Sequence, residues 1–595
     1  MTDAGSSGRR WLLIWYGLAA VVAAFTYFYG LDSAHIPKNG DEYPYEHITR
    51  STAATGNWLP LQSDIPAMRN TKPPLLFWQG IVSTNWATNW TLWNLRWPSV
   101  AYTLLTAGLA SMLAWRLSGR LETGLVALLT FLAFFSTYRY GRPFLTDSPS
   151  TFWLFLPCCA MLWRPPIVES RVAAPALLGL ATGVGLLYKS FALLLPVGLC
   201  LAWWYWYQRR YVASTFLTRD VSKLVVLAVV ALSVFSLWFA IDPDPRAIVN
   251  EFVFKENAGK FGAPGDYLKN FFWGGSSIWR LLVSYPLNAG LLLFPVIALF
   301  IDAFRRRGEI FKVRLKPDTT SEVKPDTTSE VKPDTTSEVT PDTASAETLL
   351  WMWIITLFVV FSLPSQRDER YLLPAMPALA VLCALSWERI GIASFKASLV
   401  VTGVVVGLLA YLSLRLDQSI PDGRLYTGAY WVLLMIAAAV VVVPLIAPKL
   451  IRACVNVAVL LAMLTFAAFL RPFDGAAGTF DARAQRLASG RTVWVPINFV
   501  AKEEGYRFLL PGADVRPYPL DPTLTVADLA QQYHLVAVRL PMNSPPVTDG
   551  TVLGQRLDIG TRHTPDQIMD MLRGHVFEHL FVREVLVEAA VERTR

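Results

Sequence analysis

The sequence is short of charge. Only 16% of its 595 residues are Asp, Glu, Lys or Arg, against about 25% in a soluble domain, while 53% are hydrophobic. That balance excludes a disordered chain, a coiled coil and an ordinary soluble enzyme, and leaves a polytopic membrane protein. Cysteine is scarce too. Cys158, Cys159, Cys200, Cys383 and Cys454 all sit inside apolar runs without paired metal spacing, so no disulfide framework is expected. The six His form no HExxH or CxxC…H pattern. What is abundant is aromatic: 22 Trp and 33 Phe. The net charge of +8 lies largely in short loops between apolar runs. There its partners are membrane lipids with anionic headgroups, and it is no signal for nucleic acid.

A membrane-crossing helix needs about 20 apolar residues. Such runs fall near 11–29, 97–115, 123–138, 143–163, 172–188, 190–208, 224–241, 282–301, 349–366, 371–387, 397–414, 428–448 and 453–470, thirteen in all. The stretch 172–208 carries one charge, Lys189, at its middle. It is too long for one crossing and reads as two spans turning at Lys189. No small-residue cleavage site follows the first run, which reads as a retained anchor. Arg and Lys cluster in alternate loops, at Arg9/Arg10, Arg116/Arg120, Arg209/Arg210, Arg305–Arg307 and Lys449/Arg452 among others. The positive-inside bias then predicts a cytoplasmic N-terminus and, after an odd number of spans, an outer C-terminus. Arg139, Arg142, Lys189, Arg367 and Arg370 break that bias by falling on the outer side.

Residues 1–471 form the expected transmembrane domain, with outer loops at 30–96 and 242–281. Within 30–96, segments 43–55 and 75–90 read as interfacial helices. In 313–347 the octapeptide Lys-Pro-Asp-Thr-Thr-Ser-Glu-Val recurs from Lys316, Lys324 and Lys332. With Pro in each copy and no apolar face it reads as a disordered cytoplasmic linker. Residues 472–595 read as a small outward-facing α/β domain. Strands are expected at Thr492–Pro496, Val515–Tyr518 and Leu535–Leu540, between helices near 480–489, 499–509 and 525–533. It lacks GxGxxG and a phosphate loop, so no nucleotide site is expected there.

Charges beside a bilayer are costly, and a cluster of them needs a reason. The expected topology gathers Asp41, Glu42, Lys72, Arg142, Asp147, Lys189, Glu256, Lys260, Arg370 and Tyr371 at the outer face, from separate loops. Carboxylates among several cations suit chemistry on a lipid phosphate: a carboxylate takes a proton from a hydroxyl, and cations hold the departing phosphate. Each residue also has a plainer reading. Asp41-Glu42 would cap a helix starting near Tyr43, and Asp147 would cap the fourth span. Lys189 would be a solvated tip, and Arg370-Tyr371 an interfacial anchor.

In order along the chain, Asp41-Glu42-Tyr-Pro-Tyr-Glu46, Gly56-Asn-Trp58, Lys72-Pro73-Pro74-Leu-Leu-Phe-Trp78 and Leu95-Arg96-Trp-Pro98 are followed by four more motifs. These are Arg142-Pro-Phe-Leu-Thr-Asp147, Tyr188-Lys189-Ser190, Glu256-Asn257-Ala-Gly-Lys260 and Arg370-Tyr371-Leu-Leu-Pro374. This order resembles the GT-C membrane glycosyltransferases, and within them the aminoarabinose (lipid A) transferase and protein O-mannosyltransferase superfamily. The resemblance implies a GT-C fold and transfer of a sugar from a polyprenyl-phosphate carrier. It places the reaction at the outer face of the cytoplasmic membrane, on a lipid, glycan or protein acceptor. It assigns Asp41 as the catalytic acidic residue, with Glu42 and Asp147 as further acidic candidates. Lys72, Lys260 and Tyr371 would contact the lipid phosphate, with Lys189, Arg370 and Arg142 as further donor-binding cations. The family's divalent-metal contacts fall here on Thr71, where the family has Glu, and on Glu256, where it has His. Those departures put a bound metal in question and argue against aminoarabinose as the substrate.

The reading is therefore an inverting, polyprenyl-phosphate-sugar-dependent glycosyltransferase, whose outer loops close over a groove opening sideways to lipid. Trp58, Phe77, Trp78 and Trp273 are candidates to line that groove. A lipid-linked-sugar transporter or a non-catalytic scaffold is the rival. A transporter predicts midplane charges and repeated halves, and the span centres show neither.

Overall fold

The computed structural model describes residues 3–36, 39–163, 165–261, 267–311, 343–418, 425–475, 477–521, 523–548, 550–560 and 563–589. Most of the expected repeat linker, 313–342, lies outside these residues, as does Lys38. Residues 343–347, read as linker, begin the helix Thr343–Ser362.

Among the described residues seven helices are long and apolar enough to cross a membrane. They are Arg10–Phe28, Leu92–Ser118, Val221–Ile241, Ser345–Ser362, Ile392–Gln418, Gly428–Ile446 and Pro448–Phe473. An eighth arises if Tyr267–Asn288 and Gly290–Arg305, bent by 96°, count together. The bend falls at Gly290, whose φ of +61° suits a residue without Cβ. The other apolar runs, 123–138, 143–163, 172–188, 190–208 and 371–387, form shorter helices, the first of them broken into Leu121–Ala133 and Phe135–Tyr140. The chain is a multi-pass membrane protein, and length and composition give seven or eight of the thirteen crossings expected. Pro448–Phe473 runs through the middle of the bundle, 89% buried. There Asn456 Nδ2 donates to Thr130 Oγ1 at 2.9 Å. All five Cys are buried and unbridged.

Helices Ala173–Tyr188 and Val221–Ile241 meet at Gly179 and Gly183. A Cβ at Gly179 would lie 2.6 Å from the Leu227 carbonyl oxygen, and one at Gly183 2.7 Å from Val234 Cβ. This small-xxx-small spacing lets the two backbones touch and sets the Lys189 turn beside the 242–261 segment.

Two short helices follow α1 (Asp3–Phe28): α2 (Glu42–Ala53) and α3 (Leu75–Ser83). α3 ends seven residues before the expected position 90, because Asn85, Trp86 and Ala87 all take positive φ. Thr91 then accepts a capping bond from Asn94 N, and α4 (Leu92–Ser118) begins.

The C-terminal segment folds into a five-stranded sheet ordered β2-β1-β3-β5-β4. Its strands are β1 (Thr492–Ile497), β2 (Asp514–Pro519), β3 (Leu535–Pro541), β4 (Thr551–Ile559) and β5 (Phe581–Glu588). The first three are parallel, as strands alternating with helices imply, and β5 runs antiparallel to β3 and β4. This domain is clamped onto α2. Glu504, fully buried, takes Arg50 Nη2 at 2.6 Å and His47 Nδ1 at 2.9 Å on one oxygen, and Arg50 Nε at 2.9 Å on the other. Phe508 stacks on Trp90, and Gly505 leaves room for Tyr43.

Burial alone would raise the Glu504 carboxyl, but the hydrogen bonds from Arg50 and His47 lower it to about 2. A carboxyl acidified by folding contributes stability that is present above its ordinary range and lost as pH falls through its folded value. The clamp is therefore expected to hold at neutral pH and to weaken between about pH 4.5 and 2, by about 3 kcal/mol. Amide-exchange protection of α2 at pH 7 and pH 3 checks this. Glu504→Gln should remove most of the difference, and an unchanged difference in that variant would locate the acid sensitivity elsewhere.

Candidate active site

Asp41 stands at the start of α2 with helical backbone angles, φ −70° and ψ −11°, and makes no capping hydrogen bond. Its carboxylate is spent instead on Arg370, whose Nη1 donates to Asp41 Oδ2. The other arm of Arg370, Nη2, reaches Asp147 Oδ2 at 2.7 Å. Asp147, the first residue of helix Asp147–Trp163, also receives Lys189 Nζ at 2.7 Å. The two carboxylates differ in access: the side chain of Asp147 is 1% exposed and that of Asp41 is 38% exposed. Asp147 is a fixed anchor behind the cations, and Asp41 faces open space.

A second cluster lies nearby. Residues Val249–Asn257 wind as a wide π-helix and continue into a tighter turn at Ala258–Phe261. Glu256 and Lys260 sit on this segment, and Lys72 comes from the loop before α3. Glu256 Oε1 accepts from Lys72 Nζ at 2.5 Å and from Lys260 Nζ at 3.0 Å. Burial would raise the Glu256 carboxyl, yet the two ammonium groups hold it below the usual carboxylate range. Burial and the Lys72 charge push the Lys260 ammonium down. The loops are stitched together by Asn70 Nδ2 donating to Glu251 Oε2 at 3.0 Å and Ser190 Oγ donating to Asn257 Oδ1 at 2.7 Å.

Both clusters, apart from the buried Asp147, line one cavity of about 1070 Å³. At its polar end four cations, Lys72, Lys189, Lys260 and Arg370, face three carboxylates, Asp41, Glu256 and Asp368. Tyr371 joins them, its ring 6.0 Å from Lys189 Nζ. Most of the remaining lining is apolar, with residues such as Leu194, Leu199, Leu224, Leu232, Val360 and Phe361 from three helices. Tyr45, Ser190, Asn257 and Asp368 also line the cavity and were not singled out from the sequence as site residues. Tyr45, Ser190 and Asn257 stood inside quoted motifs, so a signal existed for those three.

Two expected site residues lie elsewhere. Glu42 is buried, takes Arg96 Nε at 2.8 Å and Nη2 at 2.9 Å, and accepts from Phe144 N at 2.7 Å. Arg142 is fully buried, donates to the Tyr27 and Tyr29 carbonyls and stacks on Tyr138. Both tie neighbouring segments together and neither lines the cavity. The expected aromatic liners lie elsewhere too. Trp58 and Trp78 border a second groove of about 1060 Å³, Phe77 is buried, and Trp273 is 80% exposed.

The implied metal does not fit these residues. Thr71 brings no carboxylate, and the Glu256 oxygen is taken by two ammonium groups. Among the described residues no three His, Cys, Asp or Glu converge as ligands.

With this geometry in place, the chain compares as follows with known proteins. Residues 13–244 match the family model described as dolichyl-phosphate-mannose-protein mannosyltransferase. The undecaprenyl phosphate-alpha-4-amino-4-deoxy-L-arabinose arabinosyl transferase 1 of Sodalis glossinidius is 30% identical over 187 residues, 31% of this chain and 33% of that protein. The corresponding transferase of Pectobacterium atrosepticum is 33% identical over 172 residues, 27% of this chain and 30% of that protein. The matched part thus spans about a third of these relatives' length. The crystal structure of ArnT from Cupriavidus metallidurans bound to undecaprenyl phosphate superimposes with a TM-score of 0.56 at 16% identity, covering 97% of this chain and 98% of that one. The chain has the ArnT fold. That is the GT-C glycosyltransferase fold implied by the order of motifs from Asp41 to Pro374, and the superposition extends it through the C-terminal sheet domain.

Proposed function

We propose that the chain transfers a sugar from a polyprenyl-phosphate carrier to an acceptor hydroxyl at the outer face of the cytoplasmic membrane, with inversion. The observation that carries this reading is the cavity: one volume lined by four cations and, for most of the rest, by apolar side chains. It suits a ligand with an anionic head and a hydrocarbon tail. Relatives named for undecaprenyl-phosphate-linked aminoarabinose transfer, and a fold neighbour solved with undecaprenyl phosphate, support the same class of donor. The acceptor is a lipid, a glycan or a protein.

In the proposed step Asp41 takes the proton of the acceptor hydroxyl as its oxygen bonds to the anomeric carbon. The bond from that carbon to the phosphate oxygen breaks, and its electron pair leaves with the phosphate. Negative charge grows on the departing oxygens, so Lys72, Lys189, Lys260 and Arg370 act most strongly in the transition state. Asp147 keeps Arg370 and Lys189 aimed at that point. No step is assigned to a metal.

The test is incubation of the purified protein with a panel of polyprenyl-phosphate sugars and lipid, glycan and peptide acceptors, scored for released polyprenyl phosphate. Release in none of them, by protein shown to bind the carrier, would sink the reading. Lys72→Ala is expected to lower turnover about 10²-fold, the effect of removing one donor from developing negative charge. The proposed topology keeps thirteen crossings, with the N-terminus inside and residues 472–595 outside as one domain. A reporter after Arg595 should read outside and one at Ser329 inside; the reverse at either position refutes it.

A further inference from the structure

Lys72 and Lys260 meet on a single oxygen atom of Glu256, at 2.5 Å and 3.0 Å, inside the cavity. Two ammonium groups that close repel unless an anion lies between them. Glu256 supplies it, and its carboxylate is reachable: 27% of the side chain is exposed, against 1% for Asp147 in the other cluster. The two clusters thus differ in kind. Asp147 is a permanent partner of its cations, whereas Glu256 occupies its cations from the ligand's side. An arriving phosphate oxygen needs the same two ammonium groups that Glu256 holds, and one oxygen can do for them what the carboxylate does.

We propose that Glu256 is a stand-in for the carrier phosphate, displaced from Lys72 and Lys260 when the donor binds and returning to them as the product leaves. This rests on the donor class proposed above and adds a positioning residue to it. The exchange has two consequences. It weakens ground-state binding of any phosphate by the strength of the internal pair. It also gives polyprenyl phosphate, the product that carries more negative charge than the donor, a competitor that helps expel it. Glu256 touches no reacting atom; it acts through the lysines.

The test compares undecaprenyl phosphate binding in wild type, Glu256→Gln and Glu256→Ala, each first shown by thermal unfolding to be folded. Losing a charge that most substitutions would be expected to need should here tighten binding, by about tenfold in Glu256→Gln and more in Glu256→Ala. Steady-state turnover should fall while the first turnover stays fast, giving a burst of product, because release becomes limiting. A merely structural role for Glu256 would weaken binding and give no burst. Equal or weaker binding in both folded variants overturns the proposal. Should Glu256→Gln not fold, Glu256→Asp, whose shorter side chain reaches the lysines less well, is expected to bind more tightly than wild type; equal binding overturns it as well. Wild type failing to bind undecaprenyl phosphate would instead refute the donor class. Run with inorganic phosphate, the same comparison should also show tightening, because the exchange is at the headgroup. Tightening with inorganic phosphate alone overturns the lipid carrier as the displacing ligand.

Discussion

Asp41→Asn is expected to fold, insert and bind undecaprenyl phosphate, and to turn over about 10²–10⁴-fold more slowly than wild type. Asn matches Asp in shape and in helix-capping ability, so a capping role would cost little. The structure already separates the two roles, since Asp41 makes no capping bond to α2 and points its carboxylate at Arg370 in the cavity. Arg370 keeps its second carboxylate, Asp147, in the variant, so the cation is not stranded. What is removed is the proton acceptor. Turnover measured beside undecaprenyl phosphate affinity checks this. A folded variant working at near wild-type rate would remove Asp41 from the chemistry.

The neighbouring substitution should behave in the opposite way. Glu42→Ala is expected to destabilise the protein by about 3–5 kcal/mol, the cost of breaking a buried ion pair from one side. Arg96 would be left 3% exposed without its ion-pair partner, and Phe144 N would lose its acceptor. Thermal unfolding in detergent should show a marked loss, and yield should fall. Glu42→Gln, which keeps an oxygen for Phe144 N, should lose less. Per folded molecule its turnover should stay near wild type, because Glu42 does not line the cavity. A turnover loss as deep as that of Asp41→Asn, with stability intact, would reverse the two assignments.

That two adjacent carboxylates part in this way shows where sequence reasoning stops. Successive residues at a helix start project about 100° apart, so Asp41 and Glu42 cannot share a target, yet nothing in the order of letters says which one faces the cavity. Arg142 posed the same difficulty: its motif places the loop on the outer side but not the direction of its side chain. Much else was legible. The gathering of Asp41, Lys72, Lys189, Lys260 and Arg370 followed from loop order and topology alone, because a charge at a membrane face needs partners. The pairing of Lys72 with Glu256 was not, since the two lie 184 positions apart and meet only through the packing of two outer loops. In the C-terminal domain the apolar strands β1, β2 and β3 stood out. β4 did not, being interrupted by Gly554 and a register shift. Nor did β5, where Arg583 and Glu584 break the apolar run and Glu584 is buried against Arg556 and Tyr506. Apolar run length likewise reported hydrophobicity without reporting the break at Gly290.

The clamp between Glu504 and α2 makes the C-terminal domain hard to treat as an appendage. α2 has Asp41 at its head and Arg50 about 14 Å further along, at 1.5 Å per residue. It is therefore a short rigid rod with Asp41 at one end and the domain's grip at the other. A chain cut at residue 471 would lose more than a module. His47 and Arg50 would face solvent, Trp90 would lose its stacking partner, and the rod that aims Asp41 would be held only from the membrane side. Transplanting this domain from a relative would succeed only if the newcomer brought its own acidic residue to meet Arg50. A change in how this domain grips α2 is thus tethered to the placement of Asp41.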